Sequence, residues 1–167
     1  MSRTTFVNID GRGFWALDDA FGAWLAYLVE QIDGNDRLPD AWLASMVEDW
    51  RVAAAITDFG LSLTFETDQQ RGWISEYANS ARDAAVAVGD VAEEQLWKWM
   101  ILPDMAVSQG YSRTEGGIGL HRILEVADGF IALVDGRFQP DPPSGWWFLG
   151  TGGGMLVIER HADSADQ

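Results

Sequence analysis

Asp18-Asp19-Ala20-Phe21-Gly22-Ala23-Trp24-Leu25-Ala26-Tyr27-Leu28-Val29-Glu30-Gln31-Ile32-Asp33-Gly34 is the stretch on which the fold turns. Phe21, Trp24, Leu25, Leu28, Val29 and Ile32 recur at i, i+3, i+4, i+7, i+8 and i+11, one apolar stripe on a helix of 3.6 residues per turn. Asp18 or Asp19 can accept from the orphan N–H groups of the first turn, where negative charge also suits the helix dipole. Gly34 stands just past the end, where a left-handed cap is wanted.

Working outward, the same period returns four times. Pro39 opens a second helix with Trp42, Leu43, Met46, Val47, Trp50 and Ala54 on its stripe, and Gly60 follows its end. A third runs from Asp68 to Val88, with Ile74, Tyr77, Ala78, Ala81, Ala85 and Val88 on one side; its small residues allow close helix approach. A fourth is expected from Asp90 to Ile101, Asp90 and Glu93 imitating a capping box. Pro103 ends it, and residues 103–119 form a loop. A fifth, Leu120 to Val134, presents Ile123, Leu124, Ala127, Phe130, Ile131 and Val134 and stops at Gly136.

Strands are fewer. Thr4 to Ile9 alternates apolar and polar positions until Asp10-Gly11-Arg12-Gly13 breaks it, and Leu61 to Phe65 suits a brief strand or an extended linker. After the turn at Asp141-Pro142-Pro143-Ser144-Gly145, the runs Trp146–Leu149 and Met155–Ile158 flank a glycine-rich break and suggest a hairpin. The reading is α+β and mainly helical: five helices, a short N-terminal strand and a C-terminal β-hairpin. Residues 1–160 are expected to form one domain and 161–167 a frayed polar tail.

A chain of 167 residues is the size of one ordinary domain, able to bury about two-thirds of the surface its unfolded form exposes. Nine Trp and eight Phe supply enough apolar area that neither disulfides nor a metal is needed to hold it. Cysteine is absent, which removes thiolate nucleophiles, zinc fingers and iron–sulfur sites together. No apolar run approaches the ~18–20 residues that span a bilayer. Met1-Ser2-Arg3-Thr4-Thr5 also lacks the apolar core of a signal peptide, so a cytoplasmic address without a membrane partner is expected.

The formal charge is −15, and acids outnumber bases in every third of the chain. Such a field repels phosphate backbones and anionic lipid, excludes nucleic acid as a partner and attracts basic ones. Lys98 is the one lysine. That bias toward Arg is equally what a GC-rich genome or a salt-adapted proteome produces, and acidity also serves solubility.

Motifs that carry chemistry are sparse. No Gly-x-Ser-x-Gly is present, and the histidines are His121 and His161. His121, Glu125 and Asp128 could converge on one helix face as metal ligands, but without a second histidine pair the solvated face is the stronger reading. No metal or other cofactor is expected. Gly116-Gly117-Ile118-Gly119 leads into the fifth helix as an anion cradle would, yet no Gly-Lys-Ser/Thr follows and Glu115 opposes phosphate.

Tryptophan exceeds background. Trp24, Trp42 and Trp50 fall on helix stripes, whereas Trp15, Trp73, Trp99, Trp146 and Trp147 do not all fit one core, so some indoles should face water as interface anchors. In this profile — compact, acidic, cysteine-free — the chain is similar in kind to the immunity proteins of bacterial toxin systems. That resemblance implies a non-catalytic inhibitor that shields a basic toxin or other cationic protein. The contact positions expected are Asp10, Asp18, Asp19, Glu48, Asp49, Asp104, Tyr111, Trp146 and Trp147. The alternative is a small enzyme or ligand-binding domain using the 103–119 loop and His121; a homodimer meeting through its extra Trp residues is a third expectation.

Overall fold

The computed structural model describes residues 4–35, 41–56, 60–107 and 116–137, together with the backbone of 146–148. It is α+β and mainly helical, as the periodicity implies. The chain opens with strands β1 (Thr4–Ile9) and β2 (Arg12–Leu17), paired antiparallel with Val7 opposite Phe14 and Phe6 opposite Trp15. Only Asp10 and Gly11 make the turn. Both have positive φ (51° and 81°), which is the two-residue geometry whose twist matches the flanking strands. The expected break at Asp10–Gly13 is therefore half as long as read, and Gly13 lies within β2 opposite Asn8.

From β2 the chain passes directly into α1 (Asp18–Asp33). Leu17 stands at its N-cap position with no side-chain cap, and Asp19 accepts from the first-turn N–H of Ala20 at 2.7 Å, as expected of one of the two aspartates. Twelve of its sixteen residues are buried, so α1 is surrounded and its apolar side is wider than one stripe. It packs against α2 (Ala41–Ala55), α3 (Asp68–Val88) and α5 (Leu120–Val134). Trp24 meets Phe130 of α5 edge-on at 5.7 Å, and Trp50 of α2 meets the same ring at 6.3 Å. Ala20, Gly22, Ala23 and Ala26 on α1, with Ala78, Ala81 and Ala85 on α3, are all buried small residues that let these helices meet closely.

Between α2 and α3 runs β3 (Leu61–Leu63), parallel to β1, with Leu61 and Leu63 buried and Ser62 exposed. Its approach to β1 requires glycine at position 60, where a Cβ would lie 2.8 Å from the Phe6 carbonyl oxygen. Thr67 caps α3, its hydroxyl accepting from Gln70 N–H at 3.2 Å.

The expected fourth helix is short. α4 covers Glu93–Lys98, after which Met100–Leu102 becomes strand β4, antiparallel to β5 (Met105–Ala106). Trp99 leaves the helix because its partners lie elsewhere. Its indole N–H donates to the Glu30 carboxylate at 2.5 Å, and its ring stands edge-on to Tyr27 at 4.7 Å. Burial, reinforced by Glu30, pushes the Tyr27 hydroxyl above its ordinary pKa. The carboxamide that serves the start of α4 is Gln95, accepting from Ala92 N–H at 2.8 Å, and not Glu93.

The last described element, β6 (Trp146–Phe148), pairs in parallel with β2 and completes the sheet order β3-β1-β2-β6. Met155–Ile158, the expected second arm of the C-terminal hairpin, lies outside the described residues, as does the tail from 161 to 167. No helix among the described residues is long and apolar enough to cross a membrane.

Candidate protein-docking surface

Among the described residues, six cations are held in ion pairs within the chain. Arg51 bonds Asp33 (2.5 Å), Arg82 bonds Asp128 (2.6 Å), Lys98 bonds Glu94 (2.6 Å), Arg122 bonds Asp19 (3.0 Å) and Arg137 bonds Asp135 (2.5 Å). Arg71 pairs with Asp10, donates to the Val134 carbonyl at 2.6 Å and lies over the Phe65 ring. Asp49, Glu66, Asp68, Asp83, Glu93 and Asp104 are exposed with no ion-pair partner among the described residues. The surplus negative charge is thus carried outward, where water and any cationic partner meet it.

The positions singled out from sequence fall into three groups. Asp10, Asp18 and Asp19 are engaged internally. Asp10 accepts from Phe65 N–H at 3.1 Å besides pairing with Arg71, Asp18 is buried and accepts from the Thr5 hydroxyl at 2.7 Å, and Asp19 holds Arg122 and Ala20 N–H. Glu48 and Asp49 stand exposed on α2, Glu48 reaching Arg51 at 3.4 Å, and Asp104 is exposed in the β4–β5 turn. Tyr111 lies outside the described residues. For Trp146 and Trp147 the backbone places them opposite Gly13 and Phe14 on the β6 edge of the sheet.

Of these, Asp49 lies at a formed concavity. A groove of about 400 Å³ runs between α2 and β3, lined by Met46, Asp49, Trp50, Val52, Ala53 and Gly60–Ser62. Its floor is apolar and one wall ends in a carboxylate. Val52, 39% exposed, gives the same wall an apolar lip. Beyond β3, the face of the sheet turned away from the helices carries Ser62, Asn8, Phe6 and Trp15. The Phe6 and Trp15 rings are 4.9 Å apart, and Trp15 is 38% exposed. Trp97, 48% exposed on α4, is a second indole facing water.

Sequence reasoning named Asp49 but not Val52, Gly60, Ser62 or Phe6. Their signal is weak alone, since a single exposed Val or Ser is ordinary surface. The alternation Leu61/Ser62/Leu63 was the one usable hint, because a three-residue strand beginning after Gly60 has to lie at an edge or pair very briefly.

The residues proposed for chemistry do not assemble. No group of three His, Asp or Glu side chains that could hold a metal exists among the described residues, and Asp128 is committed to Arg82. His121 is exposed on the first turn of α5. Desolvation raises the pKa of Glu125, against the opposing pull of His121 and Arg122. The loop proposed to act with His121 is described only to residue 107 and from 116. The glycine run before α5 has a packing explanation. A Cβ on Gly117, which has φ +87°, would sit 2.3 Å from the Val91 carbonyl oxygen, across the bridge that joins Val91 to Ile118. The N-terminus of α5 is already occupied by an anion of the chain itself: Asp90 accepts from Leu120 N–H at 2.7 Å.

Comparison with known proteins gives no family model, no curated protein and no solved structure that matches this chain.

Proposed function

We propose that this chain is a non-catalytic acidic binding protein of the cytoplasm that docks a cationic protein, with an immunity- or antitoxin-like inhibitor of a basic toxin as the particular case. The observation that supports this reading is the pairing pattern. Six cations are held in ion pairs within the chain, while acids such as Asp49, Asp83 and Asp104 face water without one among the described residues. Surplus charge arranged in that way accelerates encounter with an opposite field. Exposed Trp15 and Trp97 supply amphipathic anchors of the kind that hold an interface once formed.

The test is a salt series with the product of a neighbouring basic reading frame, captured on the immobilised chain. Electrostatic docking requires the association rate to fall by about tenfold between ~50 and ~300 mM salt, while the dissociation rate changes little. An association rate indifferent to salt would remove the electrostatic half of the proposal.

A further inference from the structure

Strand β3 presents an edge with no neighbour on its far side among the described residues. The Leu63 carbonyl oxygen accepts from Asp10 N–H at 2.9 Å, and the register aligns Leu61, Ser62 and Leu63 with Val7, Asn8 and Ile9. By the alternation of a strand, Leu61 and Leu63 direct their main-chain groups at β1 while the N–H and C=O of Ser62 point outward. Natural sheets blunt such edges with lysine, proline, a bulge or a covering element. Leu61-Ser62-Leu63 has none of these residues on the strand, and the space beside it is not covered by α2 but is the open groove of Met46, Asp49, Trp50, Val52 and Ala53.

The edge is also held in place. Asp10 anchors the C-terminal end of β3, donating its N–H to Leu63 and accepting at its carboxylate from Phe65 N–H, and Arg71 fixes that carboxylate in turn. At the other end Gly60 lies against the Phe6 carbonyl. A template fixed at both ends loses little entropy when it receives a further strand.

We infer that β3 and the α2 groove together take an extended, cationic segment of the partner as an added strand. The inference rests on the docking function proposed above and names how the partner is held. Main-chain bonds to Ser62 align the segment, alternate apolar side chains enter the groove over Trp50 and Ala53, and an Arg or Lys meets Asp49. The occupant is cationic because Asp49 closes the groove without an ion pair among the described residues, and the whole chain is at −15. The same charge opposes a second copy at this edge, since two such chains repel.

The experiment uses the full chain and a capped heptapeptide alternating Arg and Val, beside a twin with its internal amides N-methylated. The twin keeps every charge and side chain but cannot donate to a strand. Calorimetry at low salt measures affinity, and amide NMR shifts report the location. The expected result is binding at least about tenfold tighter for the parent peptide than for the twin, with the largest shifts at residues 60–63 and 49. Asp49→Lys should weaken the parent peptide by about fivefold or more. Ser62→Pro, which removes one outward N–H and leaves the bonds of Leu61 and Leu63 to β1 in place, should weaken the parent selectively. Equal affinity for both peptides would overturn strand addition and leave acidic docking standing. Failure of both peptides to bind even at low salt would count against strand addition and acidic docking alike. Binding that appears only as a dimer dissociates would assign the edge to a second copy and overturn the inference.

Discussion

The interior between α1, α2 and α5 and the rim formed by the sheet and α4 use the same residue for opposite ends. Trp24 and Trp50 close on Phe130 and are withdrawn from water, Trp24 completely. Trp15 and Trp97 stand on the rim with large fractions of their rings wet. The interior even leaves the Trp24 indole N–H without a hydrogen-bond partner among the described residues. An unsatisfied donor is tolerated there because ring burial is worth more than the missing bond costs. On the rim the balance reverses: Trp99 bonds its N–H to Glu30, and the exposed indoles are offered to whatever covers them. Indole count therefore says little; what surrounds each ring decides its role.

Truncating one tryptophan in each region separates the two roles. Trp24→Ala should cost about 3–5 kcal/mol, a large part of a domain's stability, because a cavity opens between α1 and α5. Trp15→Ala should cost no more than about 1.5 kcal/mol, the value of its ring pair with Phe6. Denaturant midpoints at constant m would show the difference. Similar losses at both sites would mean that the rim indole is structural and would undercut its use as an anchor.

The next effect in size tests whether the rim is uniformly permissive. Gly117→Ala should destabilise by about 2–3 kcal/mol, since φ +87° strains any L side chain and the new methyl would press on Val91. Gly116→Ala carries the φ strain alone, with open space around its Cβ, and should cost less. If the two variants unfold at the same denaturant concentration, the steric account of the glycine run is wrong.

How much of this was legible follows from the range of the interactions. The limits of α1, α3 and α5 were readable because stripe and terminal glycine are local signals, although Gly34 takes φ −71° and not the left-handed cap expected there; the spans Asp68–Val88 and Leu120–Val134 agree residue for residue. β2 was not, because Gly13 interrupts its pattern and the strand runs into α1 without a break. Nor was the short α4, whose end is set by Trp99 reaching Glu30, 69 residues away. For the docking surface, acid content was plain, but the distinction among acids was not. Asp19 looks like a helix-start charge until Arg122, 103 residues on, is placed beside it. Asp49 becomes part of a groove only once β3 folds back along α2. Periodicity records which side of an element is apolar; it holds no information on which polar side chains find each other across the fold.

Glu125 lies at the boundary of the two regions and gives the smallest and most diagnostic effect. It is half-buried on α5, and desolvation raises its pKa although His121 and Arg122 pull the other way. A carboxyl whose folded pKa is raised holds its proton more tightly in the native state. Its contribution to stability is complete below the unfolded pKa and is lost as pH rises through the folded one. Glu125→Gln keeps the neutral form at every pH. The variant should match the parent in acid and become the more stable of the two as pH rises through the mildly acidic range, with a difference that levels off near neutrality. Paired thermal melts across that range measure it directly. The opposite sign, a variant that loses stability at neutral pH, would mean that attraction to Arg122 outweighs burial and that this stretch of α5 belongs with the ion-paired rim and not with the interior.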